Sequence, residues 1–375
     1  MIVRHINDHD CLNTTDPTSS FLFIPDISGF TAFVQDTEVR HSQHIISELL
    51  KIIIASNQLG LQVAEIEGDA VLFYKEEVPD IKAIIHQSRE MFIRFHHHLR
   101  KYEVLRICQC GACRTATHLS LKFIAHAGSY SFIDVGPFHK PYGSAVVMAH
   151  RLLKNSIPDT EYLLLTSDLT ALKPLPTLEG EEASYIKRTD SYDQGQPISY
   201  TYLLLGYLHK AVPPVEHFEL PQKSKNPIRH SIRIQRNVND VYAFLIDFDF
   251  KKQWMKGIRE VQYDEKQINQ LGAQHTCIVG GADMHFETIT NDFSPKKWVY
   301  GERLLHPRLV KEADYYFILE PLSDTETLVN FELHYQPLKG PLSFLSLIFR
   351  GMMKKYFIHS ISSFKVRCER IEEYV

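Results

Sequence analysis

The stretch that most limits how this chain can fold is LHKAVPPVEHFELPQKSKNP, residues 208–227 of 375. Its three separated proline sites and its polar residues interrupt any helical or strand period, so no single core runs through it. The length, two to three times a typical domain of ~150 residues, agrees with a chain in two parts. The expected division is an amino-terminal extension over 1–19, a first domain over 20–207, a linker over 208–227 and a second domain over 228–375.

The two parts have different patterns. Upstream, short apolar runs (Phe21 to Ile24, Val71 to Tyr74, Leu119 to Ala125, Tyr162 to Thr166, Tyr200 to Leu205) alternate with helical periods at about His41 to Asn57, Asp80 to Tyr102 and Ser144 to Asn155. Gly68 and Asp69 form the turn of a hairpin embedded in a β-α-β-β-α-β order, which predicts a ferredoxin-like sheet. Downstream come one strand (Ile228 to Gln235), two short helices, many strands and a last helix from about Leu342 to Ile371. Such a sheet curls around one long helix and leaves an apolar cavity between them. The predicted class is α+β throughout.

With 44% hydrophobic and 23% charged residues, the composition is that of a folded globular protein. The net charge of −4 supplies no broad cationic surface, so no nucleic acid is expected as a partner. The amino terminus has polar and charged residues where a signal peptide needs an apolar run, so a cytoplasmic location is expected. The most apolar stretch, Pro341 to Met353, is too short for a membrane span and contains Arg350.

The segment FLFIPDISGFTAFV runs an apolar strand directly into Asp26, then a turn at Ser28 and Gly29, then a helix. A carboxylate at a strand end beside a backbone carbonyl is a hard-cation site of the kind magnesium prefers. Asp69 sits at the hairpin turn, and a ferredoxin-like sheet makes that hairpin a neighbour of the first strand. The alternative is that both aspartates are ordinary turn residues.

Asp26, Ile27, Gly29, Phe30 and Thr31 resemble the Asp-Ile-x-Gly-Phe-Thr signature of class III nucleotidyl (adenylate/guanylate) cyclases. Gly68 with Asp69, His126 with Gly128, and the helix carrying Gly143, Val146, Ala149, Arg151 and Leu152 continue that resemblance across roughly Ser20 to Tyr207. It implies two metal ions, Mg²⁺ or Mn²⁺, on Asp26, Asp69 and the Ile27 carbonyl. It also implies triphosphate over Ser28, Gly29, Phe30 and Thr31, and Arg151 as the group that stabilises the transition state. Base-contacting positions correspond to Glu65 and Lys140. The substrate implied is a nucleoside triphosphate, ATP or GTP, held by a homodimer that shares its sites. Three departures stand out: Val147 replaces the ribose-orienting asparagine, Lys187 and Arg188 do not align with the family's phosphate-binding lysine, and Lys140 reverses the charge of an aspartate. The implied function is an active cyclase, or a catalytically degenerate fold serving as nucleotide sensor or dimerisation module.

The cluster RICQCGACRTATH is foreign to ordinary cyclases and resembles an insertion in a bacterial subgroup of cyclase-like domains of unassigned function. Cys108, Cys110, Cys113 and His118 can supply four ligands to Zn²⁺; the alternative is a loop of reduced cysteines. His96, His97 and His98 are consecutive on a helix, cannot chelate one ion from one face, and are expected mostly at the surface.

From Ile228 to about Glu373 the sequence resembles the START-like, polyketide-cyclase-like (SRPBCC) helix-grip superfamily, in the capping Asn237, Trp254, LGAQHTCIV, WVYGERL and the long carboxyl helix. The resemblance implies a hydrophobic small molecule or lipid as ligand. Tyr315, Tyr316, Phe317, Phe344, Phe349, Tyr356 and Phe357 either line that pocket or fill the core, and His275, Cys277, His285 and Glu287 are a weaker inward-facing polar set. Lipid or hydrophobic-metabolite handling is a third function for the whole chain.

Overall fold

A computed structural model describes residues 19–35, 37, 39–178, 184–192, 197–215, 224, 226–264, 269–290 and 292–370. Residues 1–18 of the expected extension, 216–223 and 225 of the expected linker, and Ile371 at the expected end of the last helix lie outside them. Two compact units result, and neither is one continuous segment. The described residues within 1–32, 46–98 and 118–213 make the first, and those within 33–45, 99–117 and 214–375 the second. The linear division at 208–227 assigns 33–45 and 99–117 to the first domain, whereas their contacts group them with the second unit.

The first half of the chain carries β1 (Ser20–Ser28), α1 (Phe30–Gln35), α2 (Val39–Ala55), β2 (Gln62–Glu67), β3 (Ala70–Lys75), α3 (Ile81–Leu105) and the short α4 (Gly111–Thr115). There follow β4 (Ser120–Gly128), the hairpin β5 (Ser131–Val135) and β6 (Phe138–Tyr142), α5 (Ser144–Leu152), β7 (Tyr162–Thr166), α6 (Ser167–Leu172), β8 (Ile186–Asp190) and β9 (Ile198–Leu204). The main sheet runs β2-β3-β1-β4-β7-β9-β8. Its first four strands are antiparallel neighbours in the ferredoxin-like order. β1 is buried along its whole length, as a near-continuous apolar run demands. Pro25 has no N–H to give, and the β1–β3 ladder is interrupted at Ile24 and Pro25 before resuming at Asp26 opposite Ala70. Leu22, Ile24, Leu72 and Ile124 form one face of the sheet, on which Ala145, Ala149 and Leu152 of α5 pack.

The second half contains β10 (Ile228–Ile234), α7 (Val238–Ile246), α8 (Phe248–Trp254), β11 (Ile258–Tyr263), β12 (Gln274–Val279), β13 (Ala282–Thr290), β14 (Phe293–Ser294), β15 (Lys297–Leu305), β16 (Glu312–Ser323), β17 (Glu326–Gln336) and α9 (Leu345–Arg370). Its sheet, β10-β17-β16-β15-β13-β12-β11, is antiparallel and sets the first strand beside the last. α7 starts where Asn237 accepts the Asp240 N–H, and α8 where Asp247 accepts those of Asp249 and Phe250. Phe331 stacks on Phe357 with centroids 4.4 Å apart, and Trp254 meets Phe364 at 4.9 Å, so aromatic rings fill the space beneath this half of α9. Among the described residues no helix is long and apolar enough to cross a membrane.

Candidate functional site

Two backbone features bring Asp26 and Asp69 together. Gly68, at φ 62°, takes the left-handed conformation that closes the β2–β3 hairpin. The Ile27 N–H then donates to the Asp69 carbonyl at 3.1 Å, fastening that turn to the end of β1. The two carboxyl groups come within hydrogen-bonding reach of each other, and Asp69 is pushed up to about 6, by burial first and by the negative charge of Asp26 second. Paired carboxylates with unfavourable mutual charge are suited to a divalent cation, which removes the repulsion.

A protein cation already stands there. Lys122 on β4 lies opposite Asp26 in register, and its Nζ is 2.9 Å from Asp26 Oδ2 and 3.4 Å from the Leu153 carbonyl. Burial opposes the charge of Lys122, but Asp26 outweighs it and holds the lysine above its ordinary range. The set therefore fits one divalent ion on Asp69 and the free oxygen of Asp26. A second ion on Asp26 requires Lys122 to withdraw. Sequence reading did not single out Lys122, although the alternation of SLKFIAHAG puts a cation on a strand that is otherwise largely buried.

The other residues singled out in the sequence are spread around this pair. Ser28 is buried and donates to the Thr160 carbonyl at 3.2 Å, while Gly29 and Thr31 are exposed and Phe30 is half-buried. Gly29, at φ 87°, turns the chain from β1 into α1. Val147 and Arg151, four residues apart, share the solvent-facing side of α5, whose opposite side is buried on the sheet. Glu65 and Lys140 meet each other in an ion pair at 3.0 Å. Lys187 and Arg188 lie on the edge strand β8, four strand spacings or about 19 Å from β1. His126 is buried against the Thr166 hydroxyl at 3.0 Å, and burial lowers its pKa. The surface expectation for His96, His97 and His98 is corrected: none is exposed, and His96 is buried 3.2 Å from Glu161, which also meets His209 at 2.9 Å. Residues 95 and 92 place aromatic rings against His96, which explains its burial.

In the second unit Cys108, Cys110 and Cys113 converge as their spacing predicts, but the imidazole among them is that of His41 on α2. His118 follows α4 on a 3-10 turn that leaves it exposed, and it is not part of this group. Hydrogen bonding to Cys108, then to Cys110, and then burial hold the Cys113 thiol far above its ordinary range.

The helix-grip unit holds a second polar centre. Lys251, His275 and Glu302 are each buried, and Lys251 Nζ contacts the Glu302 carboxylate, His275 Nε2 at 2.8 Å and the Tyr315 hydroxyl at 3.1 Å. Tyr300 and Tyr315 donate to the same carboxylate. His275 and Cys277 do face inward, whereas His285 is on the outer face bonded to Thr276 and Glu287 is half-buried on that same side. Tyr315, Phe317, Phe349 and Phe357 are core, Tyr316 packs on the other face of the sheet with Ile289 and Val299, and Phe344 is exposed. A cavity of about 350 Å³ opens by Gln262, Gln274, His275, His285 and His306.

Residues 46–162 match a family model described as Protein of unknown function (DUF2652). An uncharacterized protein of Mycobacterium tuberculosis is 30% identical over 121 residues, covering 32% of this chain and 57% of that protein, so the chain spans little more than half of the relative's length. A bacterial light-regulated adenylyl cyclase is similar at 17% identity, TM-score 0.38, over 49% of this chain and 88% of that one. The guanylate cyclase domain from Catenaria anguillulae, solved with GTP, is similar at 17% identity, TM-score 0.35, over 50% and 97%. A START superfamily protein from Mycobacterium smegmatis is similar at 16% identity, TM-score 0.30, over 38% and 97%.

Proposed function

We propose that the first unit binds a nucleoside triphosphate together with Mg²⁺ or Mn²⁺ at Asp26 and Asp69. The observation that carries this reading is the side-by-side pairing of those carboxylates, created by the Gly68 turn and the Ile27–Asp69 backbone bond. A divalent ion supplies charge neutralisation for the triphosphate and polarises the attacking hydroxyl. The exposed turn at Gly29 and Thr31 leaves backbone accessible beside the carboxylates for phosphate oxygens. Arg151 faces away from the sheet that carries Asp26, so it serves a nucleotide bound by a second protomer. That geometry favours a homodimer with two shared sites.

Lys122 favours the regulatory version of this reading over rapid turnover. It neutralises Asp26 without a metal, and Val147 offers no hydrogen bond to a ribose. The chain is then a cyclase-like nucleotide sensor whose helix-grip unit binds a hydrophobic small molecule or lipid. Isothermal titration of the full chain with ATP and GTP, each with Mn²⁺, tests the reading, followed by mass spectrometry for cyclic product. Asp69→Asn should weaken metal-dependent nucleotide binding at least about tenfold, the equivalent of one lost charge-assisted contact. Equal affinity in the wild type and in Asp26→Asn and Asp69→Asn proteins would place the phosphates elsewhere.

A further inference from the structure

The cysteine loop and the start of α2 meet within the second unit, although 67 residues separate His41 from Cys108. His41 Nδ1 lies 3.1 Å from Cys110 Sγ and 3.5 Å from the Sγ atoms of both Cys108 and Cys113. All four atoms fall within 4.8 Å of one another. A tetrahedral zinc ion with Zn–S of about 2.3 Å and Zn–N of about 2.0 Å has sulfur-to-nitrogen edges of about 3.5 Å. The Cys108 and Cys113 separations equal that edge, and the Cys110 separation is 0.4 Å shorter. We propose that His41, Cys108, Cys110 and Cys113 are the four ligands of a structural zinc ion that fastens the start of α2 to the loop ahead of β4.

The donor set selects the metal. Three sulfurs and an imidazole, with no oxygen among them, suit zinc and exclude the hard cations expected at Asp26 and Asp69. Four protein ligands leave no open coordination position for water or substrate, so the site is closed and structural rather than catalytic. Cys113 and Cys108 are buried, and Cys110 and His41 are half-buried beside them. The surrounding backbone supports anionic sulfur. The Cys110 N–H points to Cys108 Sγ at 3.5 Å, and the Cys113 N–H to Cys110 Sγ at 3.4 Å, where Cys110 also caps α4. Such donors orient the sulfurs toward the metal position. The five cysteines among the described residues are all free, so no disulfide competes for these sulfurs. The site shares no residue with the carboxylate pair, and its test is independent of nucleotide binding.

The full chain, purified under reducing conditions without chelator, is analysed for metal and by X-ray absorption at the zinc edge. The expected result is one zinc per chain with three sulfur and one nitrogen neighbours. His41→Ala should raise the zinc dissociation constant at least about 100-fold in competition with a chromophoric chelator, and His118→Ala should leave it unchanged. Cobalt(II) substituted into the wild type should give the visible absorption of a tetrahedral thiolate site, and the Cys108→Ser, Cys113→Ser protein should not. If His41→Ala fails to fold, His41→Cys decides: a four-sulfur spectrum supports the assignment, and an unchanged three-sulfur, one-nitrogen spectrum overturns it. A wild-type chain that neither carries zinc nor takes it up from solution also overturns it. So does loss of zinc in His118→Ala with retention in His41→Ala.

Discussion

Substituting Glu302 by glutamine changes one oxygen for an NH₂ group and removes one charge from the buried Lys251–Glu302 ion pair. Side-chain exposures of 3% for Lys251 and 1% for Glu302 mean that water cannot take over the lost interaction. Lys251 would keep the His275 and Tyr315 contacts, both neutral acceptors, and would remain a buried ammonium with no counter-charge. Tyr300 and Tyr315 would lose their anionic acceptor at the same time. Breaking a buried pair from one side costs about 3–5 kcal/mol. For a unit of this size that corresponds to a fall of about 6–20 °C in Tm. Because the replacement is isosteric, little of that loss comes from packing. Both tryptophans of the chain, Trp254 and Trp298, lie in the helix-grip unit, so their fluorescence follows its unfolding in urea specifically. The Lys251→Met, Glu302→Gln double variant removes both charges and should recover at least about 2 kcal/mol of the sum of the single losses. A Glu302→Gln protein within about 1 kcal/mol of wild type, or strict additivity in the cycle, would refute the reasoning.

Burial first and the Lys251 charge second keep His275 well below the usual imidazole range, so the native state does not take the proton that the unfolded chain binds below about pH 6.5. Stability is therefore unaffected above that pH and falls by about 1.4 kcal/mol per pH unit below it; His275→Gln, which keeps an acceptor for Lys251, should show a flatter acid limb in urea titrations at about pH 5 and about pH 7.5. Lys122→Met frees the second oxygen of Asp26 and should raise Mn²⁺ affinity by about tenfold, read by calorimetry; an unchanged or weaker affinity would mean that Lys122 does not compete with the ion.

What could be read in the sequence was local. The apolar run into Asp26, the Gly68–Asp69 turn and the helical period of about Ser144 to Asn155 are contiguous patterns; the first two lie where expected, and the helix starts at Ser144 but ends at Leu152. The last helix starts at Leu345 rather than about Leu342, because a 3-10 turn over Gly340–Phe344 precedes it. The hairpin β5–β6 and the edge strand β8 are not legible in the sequence, since each strand is only five residues long and β8 is polar and largely exposed. What could not be read was every pairing across distance. His118 recommended itself as a ligand by standing five residues from Cys113, yet the ligand set is completed by an imidazole 72 residues from that cysteine. Lys251 and Glu302 are likewise separated by 51 positions, and in sequence each resembles an ordinary surface charge. Lys122 meets Asp26 only because β1 and β4 are adjacent with that register.

The interleaving of the two units has a consequence for how such a chain can be rearranged, in the laboratory or by gene fusion. Leu105, at the end of α3, accepts the Leu271 N–H at 2.8 Å and shares an apolar cluster with Val215 and Leu271. A cut at the proline-rich stretch would therefore not release two self-sufficient pieces. The amino-terminal piece would carry away residues 33–45 and 99–117 with an uncovered apolar surface, and the carboxyl-terminal piece would expose the complementary patch around Leu271. Co-expressed as separate polypeptides, the halves should find each other through these segments, so that the two reading frames behave as a split protein and not as exchangeable cassettes.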